Sequence, residues 1–194
     1  ISIHKEGALE LLPLVKVAQA LAQKYDVVVT NPPYRGIGDV SEKLQECTKD
    51  KYPCSCSDLS TIFMERCLCF ADLNGYISMI NIPVWMSLAS YRKLRENLVN
   101  DSKMINMLHF GRGIFGSDYG TVAFVISKIT MLNYKGTYKK LFERAGLVET
   151  EEVKREKFFS NSKNYYTKQA LYELLPNTLF AYWATNAFVD AFIS

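Results

Sequence analysis

The feature that most constrains this chain is a run of three valines that two prolines follow almost at once. Residues 27–29 are all valine, which is typical of a strand buried on both faces of a parallel sheet. Pro32 and Pro33 end that strand, because neither residue has an N–H to donate. We therefore expect Asn31 at the carboxyl end of a buried strand, which is where ligands bind in open α/β sheets.

The residues after the valines carry an amide, backbone carbonyls and an aromatic ring in one stiff loop. A planar amino group on an aromatic ring, such as that of adenine, needs two fixed acceptors and a flat partner for the ring. The side-chain oxygen of Asn31 and the carbonyl of Pro32 can accept its two protons, and Tyr34 can stack on the ring. Pro33 keeps the loop rigid beside the same substrate. Accepting both protons favours pyramidal geometry at the nitrogen and exposes its lone pair to an electrophilic methyl group.

At these residues the sequence resembles the amino-methyltransferases that use S-adenosyl-L-methionine, whose fourth motif reads Asn-Pro-Pro-Tyr after a strand. Residues 26–36, which include Arg35 and Gly36 after the tyrosine, resemble most the large adenine-specific DNA methyltransferases. That group includes the PglX type of phage-defence systems and fused restriction-modification enzymes. The resemblance covers residues 20–130 and implies methyl transfer to a flipped adenine of double-stranded DNA, bound through the full-length protein.

The resemblance also implies the fold class and its extent. We expect an α/β, Rossmann-like methyltransferase domain of which only the later strands are present, with an antiparallel final strand. In that family a glycine-bearing loop and an acid on earlier strands hold the cofactor, and neither can be placed here, so no cofactor-binding residue is assigned. We expect a partial catalytic domain over residues 1–130, an extension toward a target-recognition region over 131–194, and little activity from the isolated chain.

Apolar spacing predicts the elements around the motif. Helices are expected over 8–24, 58–74 and 87–100, and Pro13 should lie in the first turn of the first helix or at its start. Strands are expected over 75–83, 104–110 and 121–127, with a further strand within 134–144. A strand, a helix and a strand in this order predict a right-handed parallel crossover, so the segment from Pro83 should emerge beside Asn31.

The glycine-rich loop between the last two strands of the domain is expected to approach the ligand. In the family resembled, an aromatic residue before the final strand stacks on the opposite face of the target base, and Phe115 stands at the matching place. Tyr119 competes for this role because the length of such a loop varies. A Phe115 packed under the loop is the alternative.

Other chemistry-bearing residues favour structural roles. Arg92, Lys93 and Arg95 are expected on the solvated face of a helix, and His109 is expected to be a strand residue rather than a catalytic base. Trp85 and Met86 suit either the substrate pocket or the packing of a helix on the sheet. Aromatic and basic residues interleave over 163–172, a pattern that suits nucleic acid and also many ordinary surfaces.

Composition limits the remaining possibilities. The net charge of +3, from 23 basic and 20 acidic residues, does not by itself predict a nucleic-acid surface. Five cysteines without metal-type spacing favour reduced thiols and no metal site. The sequence shows no bilayer-length apolar run and no signal peptide, so we expect a cytoplasmic protein that does not enter membranes. An exposed sheet edge would allow self-association.

Two other functions remain open at this point. Glutamine-modifying methyltransferases also carry Asn-Pro-Pro-Tyr, because a carboxamide presents the same planar amino group. The other alternative is a catalytically silent fragment that binds DNA or a partner.

Overall fold

A six-stranded mixed sheet organises the computed structural model, which describes residues 2–115, 119–129, 131 and 133–193. The strands are β1 (Tyr25–Thr30), β2 (Ala71–Asn81), β3 (Lys103–Gly111), β4 (Thr121–Ser127), β5 (Lys135–Lys140) and β6 (Asn164–Lys168). Their order across the sheet is β1-β2-β4-β3-β5-β6. The helices are α1 (Ser2–Ala22), α2 (Glu42–Lys51), α3 (Leu59–Phe70), α4 (Arg92–Asp101), α5 (Glu151–Phe159), α6 (Ala170–Glu173) and α7 (Asn186–Ile193).

The strand directions confirm the expected α/β fold with an antiparallel strand. β1 pairs with β2 in parallel, and β4 lies between β2 and β3, antiparallel to both. Thr30 is paired with Met79, so the loops that leave β1 and β2 emerge side by side as the crossover predicts. We call the end of the sheet where β1, β2, β3 and β5 finish the carboxyl edge.

The chain beyond residue 130 continues the same sheet and core. β5 pairs with β3 in parallel, and β6 adds an antiparallel strand to β5. Tyr138, Tyr172, Phe180 and Tyr182 are at most 1% exposed and belong to the core cluster that also contains Phe124. The boundary expected at residue 130 stays a prediction, and this packing joins both parts into one core.

The expectation that the valine strand is buried on both faces is wrong. β1 is an edge strand, and the side chains of Val27 and Val29 are 57% and 71% exposed, whereas Val28 packs against the core. α1 does not cover them, since its own large apolar side chains are exposed: Leu9, Leu11, Leu12, Leu14, Val15, Val17 and Leu21. The strand forms because β2 supplies its backbone hydrogen bonds.

Three helix boundaries differ from expectation. Pro13 lies inside α1 rather than at its start. α3 ends at Phe70, because Ala71 is already extended and begins β2. The segment after β2 first forms two short 3-10 turns, Pro83–Met86 and Ala89–Tyr91, before α4 starts.

Arg95 does not lie on a solvated face. Its side chain is fully buried, whereas Arg92 and Lys93 are exposed and pair with Glu96. The Arg95 guanidinium donates to the carbonyls of Trp85, Leu88, Asn177 and Thr178 at 2.7–3.2 Å. It thereby ties the turn after β2 to a distant segment of the chain.

Among the described residues, none of the helices combines the length and the apolar character that a bilayer crossing requires.

Candidate active site

Asn31 and Tyr34 meet directly after β1. The Tyr34 hydroxyl donates to Asn31 Oδ1 at 3.0 Å. An amide oxygen has two lone pairs, so one remains for a substrate donor. Pro32 is buried while Asn31 and Pro33 are exposed, so the loop is anchored at its first proline and its flanking residues face outward. The structure therefore brings together all four residues that the motif singled out.

The loop after Tyr34 is tied to the start of α3. Leu59 N–H donates to the Arg35 carbonyl at 2.9 Å, and Ile37 N–H donates to the Ser57 carbonyl at 3.0 Å. Asp58 caps the helix, since its Oδ1 accepts from the backbone N–H of Ser60 at 2.8 Å. These bonds hold the backbone that follows Tyr34 in one position.

A cavity of about 430 Å³ opens beside Tyr34 at the carboxyl edge. Residues after β1, residues after β2 and Tyr119 of the β3–β4 loop line it together. Its lining includes Tyr34, Arg35, Asp58, Ile82, Val84, Tyr91 and Tyr119. Burial raises the pKa of the Tyr34 hydroxyl, so this phenol stays protonated as a donor to Asn31. Aromatic, apolar and hydrogen-bonding groups thus surround a space suited to a planar ring.

The two aromatic candidates of the β3–β4 loop lie in different places. Phe115 is 70% exposed, has a φ of 56°, and lines another cavity with Phe110 and Phe158. Tyr119, 76% exposed, lines the cavity that contains Tyr34. The assignment of Phe115 stays a prediction, but in this arrangement Tyr119 is the aromatic side chain on the side of Tyr34.

Asn81 is a residue that the sequence reasoning missed. It is fully buried at the end of β2, where its Nδ2 donates to the Ser60 carbonyl at 3.0 Å and its Oδ1 accepts from Ile82 N–H at 2.7 Å. These bonds fix the strand end next to the start of α3. The available signal was a lone amide in an apolar strand just before Pro83, since a buried amide needs partners.

His109, Trp85 and Met86 lie in different surroundings. His109 lies in β3 as expected, and its Nδ1 lies 3.0 Å from the Tyr182 hydroxyl. Trp85 is fully buried between Phe124 and Phe180, so it packs the core. Met86 is buried and lines a separate cleft at the carboxyl edge.

The cysteines carry no chemistry in this site. All five are free thiols, and burial raises the pKa of Cys67 to about 11. In the part of the chain that the structure describes, no three His, Cys, Asp or Glu side chains are grouped to hold a metal ion.

Comparison with known proteins adds independent findings. The model of the Eco57I restriction-modification methylase family matches residues 5–115. The chain is 37% identical over 192 residues to the adenine-specific methyltransferase BrxX of Escherichia coli O9:H4 (strain HS), with 98% of this chain and 16% of that protein covered. It is 36% identical over 187 residues to the adenine-specific methyltransferase PglX of Lacticaseibacillus casei (strain Zhang), with 91% and 15% covered.

A solved structure shares the fold. The methyltransferase subunit of a type I restriction-modification system from Streptococcus thermophilus aligns with a TM-score of 0.54 at 11% identity, over 81% of this chain and 37% of that chain. The chain spans only 15–16% of the length of the two curated relatives.

Proposed function

Because the chain belongs to the Eco57I restriction-modification methylase family, we propose that the full-length protein transfers a methyl group from S-adenosylmethionine to the exocyclic amino nitrogen of adenine in DNA. The observation that carries this proposal is the Asn31–Tyr34 pair at the open end of β1, beside a ring-sized cavity. The names of the two curated relatives support the same reaction, and with it a role in restriction-modification or phage defence.

The substrate base enters the site from the duplex. A stacked adenine hides its amino group, so the protein flips it out at a cost of a few kcal/mol. Tyr34 stacks on one face of the flipped ring. Asn31 Oδ1 and the Pro32 carbonyl accept the two amino protons, and the Tyr34 hydroxyl holds the Asn31 amide in the orientation that presents its oxygen.

The residues of this chain prepare the nitrogen rather than deprotonate it. With both protons held, the nitrogen lone pair points away from the ring plane toward the open side of the loop. S-adenosylmethionine supplies an electrophilic methyl group when it is bound, and most of its site is expected outside the described residues. The nitrogen would form the new N–CH₃ bond as the S–CH₃ bond of S-adenosylmethionine breaks and S-adenosylhomocysteine leaves. The methylated nitrogen would then lose one proton to solvent, so no strong base such as His109 is required.

The opposite face of the base is assigned to the β3–β4 loop. Phe115 is the residue that the family resemblance indicates, and Tyr119 is the one that lines the cavity of Tyr34. We propose that Tyr119 covers the base in the arrangement described, with Phe115 as the competing assignment.

Methylation of DNA by the full-length protein tests the function. We expect label from S-adenosylmethionine on adenine, and we expect Asn31→Ala to lower turnover at least a hundredfold while cofactor binding is unchanged. The basis is that the lost acceptor acts on the reacting amine, where preorganised groups are worth most. Asn100→Ala, at an exposed amide near the end of α4, is the matched control.

The possible results separate the alternatives. Unchanged methylation by Asn31→Ala would refute the role of the motif. Label on protein alone would favour glutamine methylation, and the absence of label would favour a silent binding module. A DNA substrate further implies that the protein works in the cytoplasm.

Self-association is also proposed for the chain on its own. β1 offers a free edge, and Val27 and Val29 beside it are exposed. Such an edge pairs readily with a second copy.

A further inference from the structure

A second cleft adjoins the candidate active site at the carboxyl edge. It has a volume of about 300 Å³, within the range of small-ligand pockets. Val84 and Tyr119 line both this cleft and the cavity of Tyr34, so the two spaces are neighbours separated by these side chains. Gly111 lines it with a φ of 71°, and a Cβ there would come within 2.7 Å of the Phe142 ring. Backbone and rings therefore pack closely at this cleft.

Trp183 presents a fixed aromatic ring to the cleft. The residue is 42% exposed, and its ring meets that of Tyr182 edge to face, with centroids 4.9 Å apart. Tyr182 is itself held, because it stacks on Tyr138 at 5.0 Å and its carbonyl accepts from the Thr167 hydroxyl at 2.8 Å. An exposed indole on a buried support is a ready stacking platform.

His109 lines the same cleft as a neutral imidazole. Burial, reinforced by the charge of Lys140, lowers the pKa of His109 to about 4. Its Nδ1 is engaged with the Tyr182 hydroxyl, and within the described chain Nε2 has no hydrogen-bond partner. This nitrogen can serve a ligand as donor or acceptor.

Basic side chains lie in and beside the cleft. Its described lining includes Arg112, which donates to the Gly146 carbonyl at 3.0 Å, and includes no carboxylate. Lys140 lies 4.6 Å above the ring of Phe142, which also lines the cleft. Two acids of the following segment, Glu143 and Glu149, are paired with Lys157.

We propose that this cleft binds the nucleotide next to the target adenine in the same DNA strand. Trp183 stacks on its base, and His109 Nε2 bonds to the edge of that base. Consecutive nucleotides are joined by one phosphate, so a base flipped into the Tyr34 cavity leaves its neighbour beside the adjoining cleft. The inference rests on the proposed function and adds a sequence-context site to it.

The test combines protein variants with altered DNA. Duplexes that contain the methylation site of the full-length protein are made with an abasic analogue 5′ or 3′ of the target adenine. Wild type, Trp183→Ala, Trp183→Phe and the control Phe159→Ala are compared by KM and kcat. Phe159, on α5, is a more exposed aromatic at 74% and does not line the cleft.

On intact DNA we expect Trp183→Ala to raise KM roughly tenfold, the loss typical of one base–aromatic stack. Trp183→Phe and Phe159→Ala should stay within about threefold of wild type. On one of the two abasic duplexes the KM of wild type should rise by the same roughly tenfold, because the base that stacks on Trp183 is missing. Trp183→Ala should raise KM no further on that duplex.

Equal effects of Trp183→Ala on intact and abasic DNA, or no effect at all, would overturn the subsite. If wild type still methylates adenine in that case, the proposed function stands and only the subsite fails. If wild type methylates no DNA, both fall together. If Trp183→Ala does not fold, wild type is tested instead with DNA that carries the fluorescent base 2-aminopurine at the flanking position. Stacking on Trp183 should quench the fluorescence of this base, and unquenched emission would refute the contact.

Discussion

At the scale of single residues, the site combines a local motif with one partner from far along the chain. Asn31 and Tyr34 are three residues apart, and their hydrogen bond of 3.0 Å follows from the stiff loop between them. The cavity beside Tyr34 is closed by Tyr119, which the β3–β4 pairing brings to the carboxyl edge. In the proposed function, recognition of the amine is therefore local, whereas enclosure of the ring is not.

This distinction gives a prediction about the aromatic partner of the base. Tyr119→Ala should lower kcat/KM for DNA roughly tenfold or more, since it removes one stacking face, while Phe115→Ala should change it less than threefold. Tyr119→Phe should retain most activity because the ring is kept. Steady-state methylation of the cognate duplex by the full-length protein measures all three. A larger loss of kcat/KM in Phe115→Ala than in Tyr119→Ala would assign the stacking role to Phe115 instead.

At the scale of elements, two connections decide where the loops stand. β4 inserts between β2 and β3, so the β3–β4 hairpin returns toward the loop after β2. The segment after β2 is held from the other side by Arg95 of α4, whose guanidinium serves four backbone carbonyls. Asn177 and Thr178, which supply two of them, both have positive φ, so the arginine stabilises a strained turn.

Replacing Arg95 should therefore loosen two distant segments together. Arg95→Met keeps the apolar stem but leaves buried carbonyls without a donor, at a cost of roughly 3 kcal/mol. Hydrogen exchange of the full-length protein should then be about a hundredfold faster in peptides covering 85–101 and 175–182. Arg92→Met, which loses only an exposed pair with Glu96, should exchange like wild type. Acceleration in one segment alone would show that Arg95 does not couple them.

At the scale of the whole molecule, the described chain has one well-packed side and one open side. The core lies among β2, β3, β4, β5 and the helices α3, α4 and α6, whereas β1 and α1 leave apolar side chains in contact with solvent. Apolar exposure of this extent, in the chain on its own, favours contact with another surface.

The open side predicts how the 194-residue chain behaves when it is produced alone. It should self-associate with increasing concentration, and Val29→Lys should shift it toward monomer, because a charge on the free edge opposes strand pairing. Sedimentation velocity over a range of concentrations measures the change. Phe159→Lys, at an exposed residue of α5, should leave association unaltered. A chain that is monomeric at every concentration would contradict the proposal.

The sequence by itself determined the motif and the kind of elements around it, and from them came the prediction of the chemistry at the end of β1. Val27 to Tyr34 carries its information within eight residues, because apolar runs and prolines act on the backbone locally. Only the tertiary structure decided that β1 is an edge strand, that Arg95 is buried, and that Tyr119 rather than Phe115 lines the Tyr34 cavity. Each of these depends on which segments pack together, so residues far apart in the chain fix them and no local pattern records them.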